Sequence, residues 1–148
     1  LTTDGSGNIG FEDAGGGAVL QVVEASINNE ASTSSSSFTS TGLSASITPS
    51  SASNKILCMV NTSGGQDTDG RSYFIRIRNT TQNSTVSGHD GLVSGATVVH
   101  FVTSIGVDSP SSTSAQTYEL QFATDGSGTV DVAAGNRGAR LILMEIQP

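Results

Sequence analysis

Short runs of alternating apolar and polar residues constrain the fold of this 148-residue chain more than any other feature. In one run, Tyr73, Ile75 and Ile77 share one face of a strand while Arg76 and Arg78 point the other way, as a period of two requires. Clusters of Ser, Thr, Gly and Asn separate the runs. The predicted strands are residues 19–27, 38–48, 55–61, 72–79, 85–87, 97–105, 117–124, 129–133 and 140–147.

This spacing of short strands predicts an all-β chain, an antiparallel β-sandwich of jelly-roll type with hardly any helix. Only 34% of the residues are hydrophobic, but they are grouped in runs, whereas disordered segments lack such grouping. We therefore expect one domain over residues 19–148. Residues 1–18 contain three consecutive glycines and turn dipeptides, which are typical of a connector.

Two of the runs, residues 56–60 and 141–144, are apolar at both alternating positions. A strand of this kind is covered on both faces, while a lone two-layer sandwich covers only one face of each strand. The second covering layer could be another subunit or a long loop. We expect the core or a subunit interface to contain Ile56, Cys58, Val60, Tyr73, Ile75, Ile77, Leu120, Phe122, Leu141 and Leu143.

The charge balance excludes one class of partner. The net charge is −7 and Lys55 is the only lysine, so binding to a phosphate backbone is not expected. No stretch approaches the 18 or so apolar residues of a membrane-spanning helix, and no basic-then-apolar signal segment begins the sequence. The single cysteine, Cys58, cannot form an intrachain disulfide and is expected to be a small buried residue.

Acidic loops offer the oxygen ligands that calcium prefers, at Asp4, at Asp67 and Asp69, and between Asp125 and Asp131. None has glycine at the sixth position and glutamate at the twelfth of a calcium loop. Turn chemistry explains these residues without an ion, and Asp125-Gly126 is typical of a hairpin turn. The sequence therefore predicts no metal and no cofactor.

Catalytic motifs are also missing from the sequence. It has two histidines, His89 in a turn-like segment and His100 in a predicted strand, and no nucleophile elbow, zinc motif or phosphate loop. Glycoside hydrolysis would need two carboxylates about 5–9 Å apart. The sequence pattern pairs none of the candidates, which are Glu24, Asp90, Glu119 and Glu145. We therefore predict a protein that is not an enzyme.

Several segments carry a family resemblance: AVLQVVEASI, TGLSASITPSSASNKILCMVN, DSPSSTSAQTYELQF and the ending LILMEI. Together with the leading LTTDGSGNIGF, this order of segments resembles the C-terminal head domain of marine phage tail-fibre and other virion fibre proteins. The resemblance covers most of the chain. It is weakest over residues 64–95.

The resemblance implies an extracellular, virion-attached homotrimer that is joined to other virion proteins through its N-terminal side and binds a glycan or protein of the host surface. Polar loops on a β scaffold suit such binding, and three copies would add avidity. The candidate binding residues are Gln66, Asp67, Asp69, Arg71, His89 and Asp90. The alternative is a structural virion protein, such as a head fibre, decoration protein or connector, which holds neighbouring subunits without binding a receptor. The glycine-rich loop at residues 64–70 could equally be a passive connection.

Overall fold

Twelve β-strands and one short 3₁₀ turn organise the chain in a computed structural model, which describes residues 2–3, 9–10, 18–92 and 99–147. For residues 2–3, 9–10 and 89–92 it describes the backbone alone. None of the described residues belongs to a helix that could span a membrane. The strands are β1 (Thr2–Thr3), β2 (Ile9–Gly10), β3 (Val19–Ile27), β4 (Ala31–Thr33), β5 (Thr39–Ile47), β6 (Lys55–Gln66), β7 (Ser72–Asn79), β8 (Ser84–Leu92), β9 (His100–Asp108), β10 (Gln116–Thr124), β11 (Val130–Val132) and β12 (Ala139–Ile146).

Ten of these strands form two antiparallel sheets. In sheet A, β12 lies between β3 and β6. Beyond β12, the strand β11 pairs with the same edge of β6 that β12 occupies, and β4 pairs with β11. The opposite edge of β6 pairs with β9. In sheet B the order is β5, β10, β7, β8. In sheet A, β3 and β4 together form one interrupted strand, and β11 and β12 together form another. Each sheet therefore contains four strands when interrupted strands are counted once. This arrangement is that of an eight-stranded jelly roll, so the predicted fold class is confirmed.

The core lies between the inner faces of the two sheets. Alternation along β7 and β10 turns Ile75 and Phe122 inward, while β6 and β12 contribute residues from sheet A. All ten residues predicted for the core or an interface are buried in this layer, Cys58 among them. Burial, with a smaller contribution from Asp108, raises the pKa of the Cys58 thiol to about 12, so it stays protonated and unreactive near neutral pH.

One pair of sheet edges closes tightly. At Gly106 of β9, an added Cβ would lie 2.7 Å from the carbonyl oxygen of Val86 in β8, so glycine is required by the close approach of the two backbones. The hydroxyls of Ser87 and Ser104 hydrogen-bond across the same junction at 2.7 Å. This contact fixes how the edge of sheet B sits against the edge of sheet A.

The structure corrects four local predictions. Asp125-Gly126 is not a hairpin turn, because β10 belongs to sheet B and β11 to sheet A, so the turn carries the chain between sheets. The Ser-rich connector predicted at residues 30–37 contains β4. Strand β6 continues to Gln66, through residues that sequence analysis assigned to a loop. His89 lies within β8 and not in a turn, since its backbone pairs with Ile75.

The described chain enters and leaves the sandwich at one end, and the opposite end is formed by turns. Residue 18 enters β3 at the end where Gln147 leaves β12, and the Gln147 backbone N–H donates to the Ala18 carbonyl at 3.0 Å. The turns at residues 67–71 and 125–129 lie at the opposite end. A nine-residue strand spans roughly 30 Å, which is the approximate separation of the two ends. We call them the entry end and the far end.

A buried carboxylate organises the entry end. Glu145 follows Leu141 and Leu143 on the inward face of β12, and its side chain is fully buried. It accepts hydrogen bonds from Gln21 at 2.6 Å, from Asn54 at 2.6 Å, and from both the backbone and the hydroxyl of Ser50 at 2.7 and 2.8 Å. Desolvation raises the pKa of Glu145, but these hydrogen bonds outweigh it and lower the pKa from 4.5 to about 2.

Replacing Glu145 by Gln should remove part of the acid sensitivity of folding. Because its folded-state pKa is depressed, Glu145 contributes fully above pH 4.5, and that stability is lost as the pH falls toward 2. Glu145→Gln should lower the unfolding free energy at pH 7 by about 1–3 kcal/mol, since a buried donor loses its acceptor. Urea titrations by circular dichroism at one fixed protein concentration, from pH 7 to pH 2, should show a smaller acid-induced loss than in the wild type.

The matched control is Glu119→Gln, which removes a partly exposed carboxylate from the outer face of sheet B. It should leave the acid dependence close to that of the wild type. An equal acid dependence in Glu145→Gln and the wild type would show that the buried carboxylate does not carry this effect.

Candidate functional site

The outer face of sheet A is apolar over its entry half. Cross-strand pairing aligns outward side chains in two neighbouring rows across four strands. The first row is Val22, Met144, Leu57 and Val107, and the second is Glu24, Ile142, Met59 and Ile105. We call the seven apolar members of these rows the apolar face.

The flanks of the apolar face are open. Val22 is 57% exposed, Ile105 57% and Val107 54%, while the central methionines and Ile142 are partly shielded by these neighbours. Monomeric proteins rarely keep a large continuous apolar patch in water, and such patches usually mark an interaction site. The two-sided apolar runs at residues 56–60 and 141–144 predict the two central strands of this face. The flanking strands were not predicted to be covered on both faces, although Val22-Val23 and Phe101-Val102 are also apolar at both alternating positions.

A hollow of about 140 Å³ lies next to the apolar face, lined by Met59, Asn61, Thr103, Arg140 and Ile142, with part of Val60 at its floor. The polar groups on its rim already have partners. The Asn61 amide donates to Thr103 at 2.9 Å, and Arg140 pairs with Glu24 at 3.1 Å.

Phe101 stands on the same outer face, one row beyond Thr103 and opposite Ser63. Its side chain is 73% exposed, the largest exposure among the described large hydrophobic residues. It therefore does not fold over the hollow of its own chain. Ser63 is covered from outside by the turn at Ala134, whose carbonyl accepts its hydroxyl at 3.2 Å.

The far end carries a rim of acidic turns that hydrogen bonds hold together. The Thr129 backbone N–H donates to the Asp67 carboxylate at 2.8 Å, and Asp67 N–H donates back to the Thr129 carbonyl at 3.1 Å. These contacts lower the pKa of Asp67, with the Thr129 backbone N–H as the largest cause. Asp125 accepts the Ser72 backbone N–H at 3.1 Å and lies 3.7 Å from Arg71.

The structure brings most of the predicted binding residues to this rim. Asp67, Asp69 and Arg71 are exposed there. The backbone of His89 and Asp90 pairs with the first half of β7 near the same end, while their side chains lie outside the described residues.

Gln66 differs from these residues, because its side chain is 2% exposed and donates to the Ser127 carbonyl at 2.6 Å. It braces the rim from inside. The pairing of β6 with β11 buries it, and no sequence signal of short range indicates this.

The outer face of sheet B is polar. Glu119 accepts hydrogen bonds from Ser40 and from Gln121, the latter at 2.8 Å, and Gln121 in turn accepts the Arg76 Nε–H at 2.9 Å. The Arg76 guanidinium stacks 3.9 Å from the ring centre of Phe38. The two outer faces of the sandwich thus differ sharply in polarity.

The carboxylates considered for hydrolysis are dispersed. Glu24 lies on the outer face of sheet A, Glu119 on the outer face of sheet B, and Glu145 in the interior. The Asp90 side chain lies outside the described residues. Within the side chains that the structure describes, no group of three His, Cys, Asp or Glu is placed to hold a metal ion.

No protein family and no curated protein matches the chain, so membership of the phage-fibre family stays a prediction. Similar solved structures include three of VP2 from infectious bursal disease virus. A mutant VP2 in derived T=1 particles is 11% identical with a TM-score of 0.47, covering 86% of this chain and 37% of VP2. A VP2 subviral particle and the Gx strain structure are each 12% identical, with TM-scores of 0.46 and 0.43, covering 87% of this chain and 40% of VP2. The chain thus spans about two fifths of these proteins.

Proposed function

We propose that this chain is the head of a virion fibre, a non-enzymatic module that associates with two copies of itself and attaches to a host surface through its far end. The observation that carries the proposal is the apolar face on sheet A. A lone sandwich leaves it in water, and a second copy would remove it from water.

The size of sheet A supports association with a copy. Four strands about 4.8 Å apart and nine residues long present an outer surface of roughly 19 by 30 Å. Its area of roughly 570 Å² approaches the approximately 800 Å² per partner of a standard interface. The Arg140–Glu24 ion pair beside the apolar face is already formed, which lowers the cost of covering it.

A ring of three copies is the assembly proposed. Three copies around an axis along the strands would each turn the apolar face inward, and a closed ring leaves no such face for further growth. All three chains would then enter at one end, beside residue 18, and expose their rims of acidic turns at the other. This common direction of the three chains supports attachment to a shaft through the N-terminal side.

Receptor contact is proposed at the far-end rim, through Asp67, Asp69, Arg71 and the neighbouring His89 and Asp90. The hydrogen bonds between Asp67 and Thr129 hold the turns in place, which reduces the entropy lost on binding. The ligand class proposed is a host glycan or a polar protein surface, with each site weak and the trimer effective through avidity.

A structural virion protein is the second candidate, because the apolar face could also seat a different virion protein. In that case the purified chain would remain a monomer and would associate only with its partner. The mass of the isolated protein therefore separates the two candidates.

Light scattering of the purified chain at micromolar concentration should give three chain masses. Ile105→Lys places a charge within the apolar face and should yield monomers, because an unpaired charge buried there is costly. Ser44→Lys makes the same charge change at an exposed site on sheet B and should leave the trimer intact. A monomeric wild type would contradict self-association.

Receptor contact is tested by exchanging residues 67–71 for those of a related fibre with a different host. The exchange should change which cells the particles bind, while the trimer mass remains that of the wild type. Unchanged host range would remove Asp67, Asp69 and Arg71 from the receptor site. Exchange of residues 80–83, at the entry end, serves as the control and should leave host range unchanged.

A further inference from the structure

We infer that Phe101 of each copy inserts into the hollow of the next copy around the ring. This inference rests on the proposed self-association and specifies its central contact. Phe101 lies on β9, and the hollow lies between β12, β6 and β9. Sheet A places both on one face, so each copy offers one projecting side chain and one receiving site.

The sizes of the two partners match. A dry cavity of roughly 150 Å³ accommodates a benzene ring, and the hollow measures about 140 Å³. Its walls include the apolar side chains of Met59 and Ile142, and Met sulfur makes favourable contacts with aromatic rings. Arg140 at the rim can stack on the inserted ring.

The heights along the strands are also compatible. Rotation around an axis parallel to the strands keeps every residue at its own height, so the Phe101 of one copy approaches the next copy at the level of Ser63. The hollow begins one row away, at the paired Asn61 and Thr103. Neighbouring rows are about 7 Å apart, which is within reach of an aromatic side chain.

The contact is also compatible with a closed ring. Because the projecting residue and the hollow are different sites, each contact is heterologous, and such contacts close when the rotation between copies divides a full turn. A hydrophobic side chain that fills a neighbour's pocket at the centre of an interface is the usual form of a binding hot spot.

The direct test is Phe101→Ala in the full chain, measured by sedimentation equilibrium over a range of concentrations. Loss of a hot-spot contact should raise the concentration of half-assembly at least about 30-fold, the change that corresponds to about 2 kcal/mol. Phe38→Ala, which removes an aromatic side chain packed on Arg76 at sheet B, should leave it within about threefold of the wild type. Circular dichroism should show both variants folded.

A mixing experiment tests the pairing of sites. Ile142→Trp should fill the hollow and weaken association as Phe101→Ala does. A mixture of the two variants should form dimers at concentrations where each alone is monomeric, because the Phe101 of one meets the open hollow of the other.

The outcomes separate this inference from the proposed function. If Ile105→Lys dissociates the assembly and Phe101→Ala does not, the apolar face associates and the Phe101 contact is wrong. If neither variant dissociates it, or if the wild type is a monomer, both are wrong.

Discussion

The apolar character of β6 and β12 on both faces is the constraint on which the rest of the structure depends. These strands pair at the centre of sheet A, so their inward side chains build the core while their outward ones form a second apolar surface. Burial of apolar area stabilises by roughly 25 cal/mol per Å². An alternating pattern would place polar side chains on the outer face, where a monomer can expose them to water, and the strands β7 and β10 of sheet B largely follow such a pattern. The two central strands therefore supply the apolar surface on which the proposed association rests.

The two ends of the sandwich differ in the hydrogen bonds that hold their loops and turns. At the entry end, Glu145 joins β12 to β3 and to the loop before β6 through Gln21, Ser50 and Asn54. At the far end, reciprocal bonds between Asp67 and Thr129 join two turns that belong to different parts of the chain. The apolar face lies toward the entry end and the acidic rim at the far end, so the proposed association and the proposed receptor contact use separate regions of the sandwich.

Sequence patterns predicted those elements whose signal is local. The bounds predicted for β3 and β7 match the observed strands, and the two-sided runs identified the centre of sheet A. The turn at Asp125-Gly126 was misassigned because a turn signal does not specify whether the flanking strands pair or change sheets. The sequence predicts Gln66 as a polar binding residue, and this is wrong because its burial depends on β11, more than 60 residues away in sequence. The inward position of Glu145 could be predicted from the sequence, because Glu145 lies two and four residues after the inward Leu143 and Leu141. Its hydrogen-bond partners could not, because they come from distant segments.

The most direct measurement of whether the apolar face is covered uses the two methionines of the chain, Met59 and Met144, both of which lie on that face. Methionine oxidation by peroxide depends on exposure of the sulfur. Peptide mass spectrometry should show that sulfoxide formation at both residues slows as protein concentration rises into the range of the assembled state, and that it stays fast at every concentration in Ile105→Lys. Equal rates at all concentrations, the same as in Ile105→Lys, would contradict burial of this face between copies.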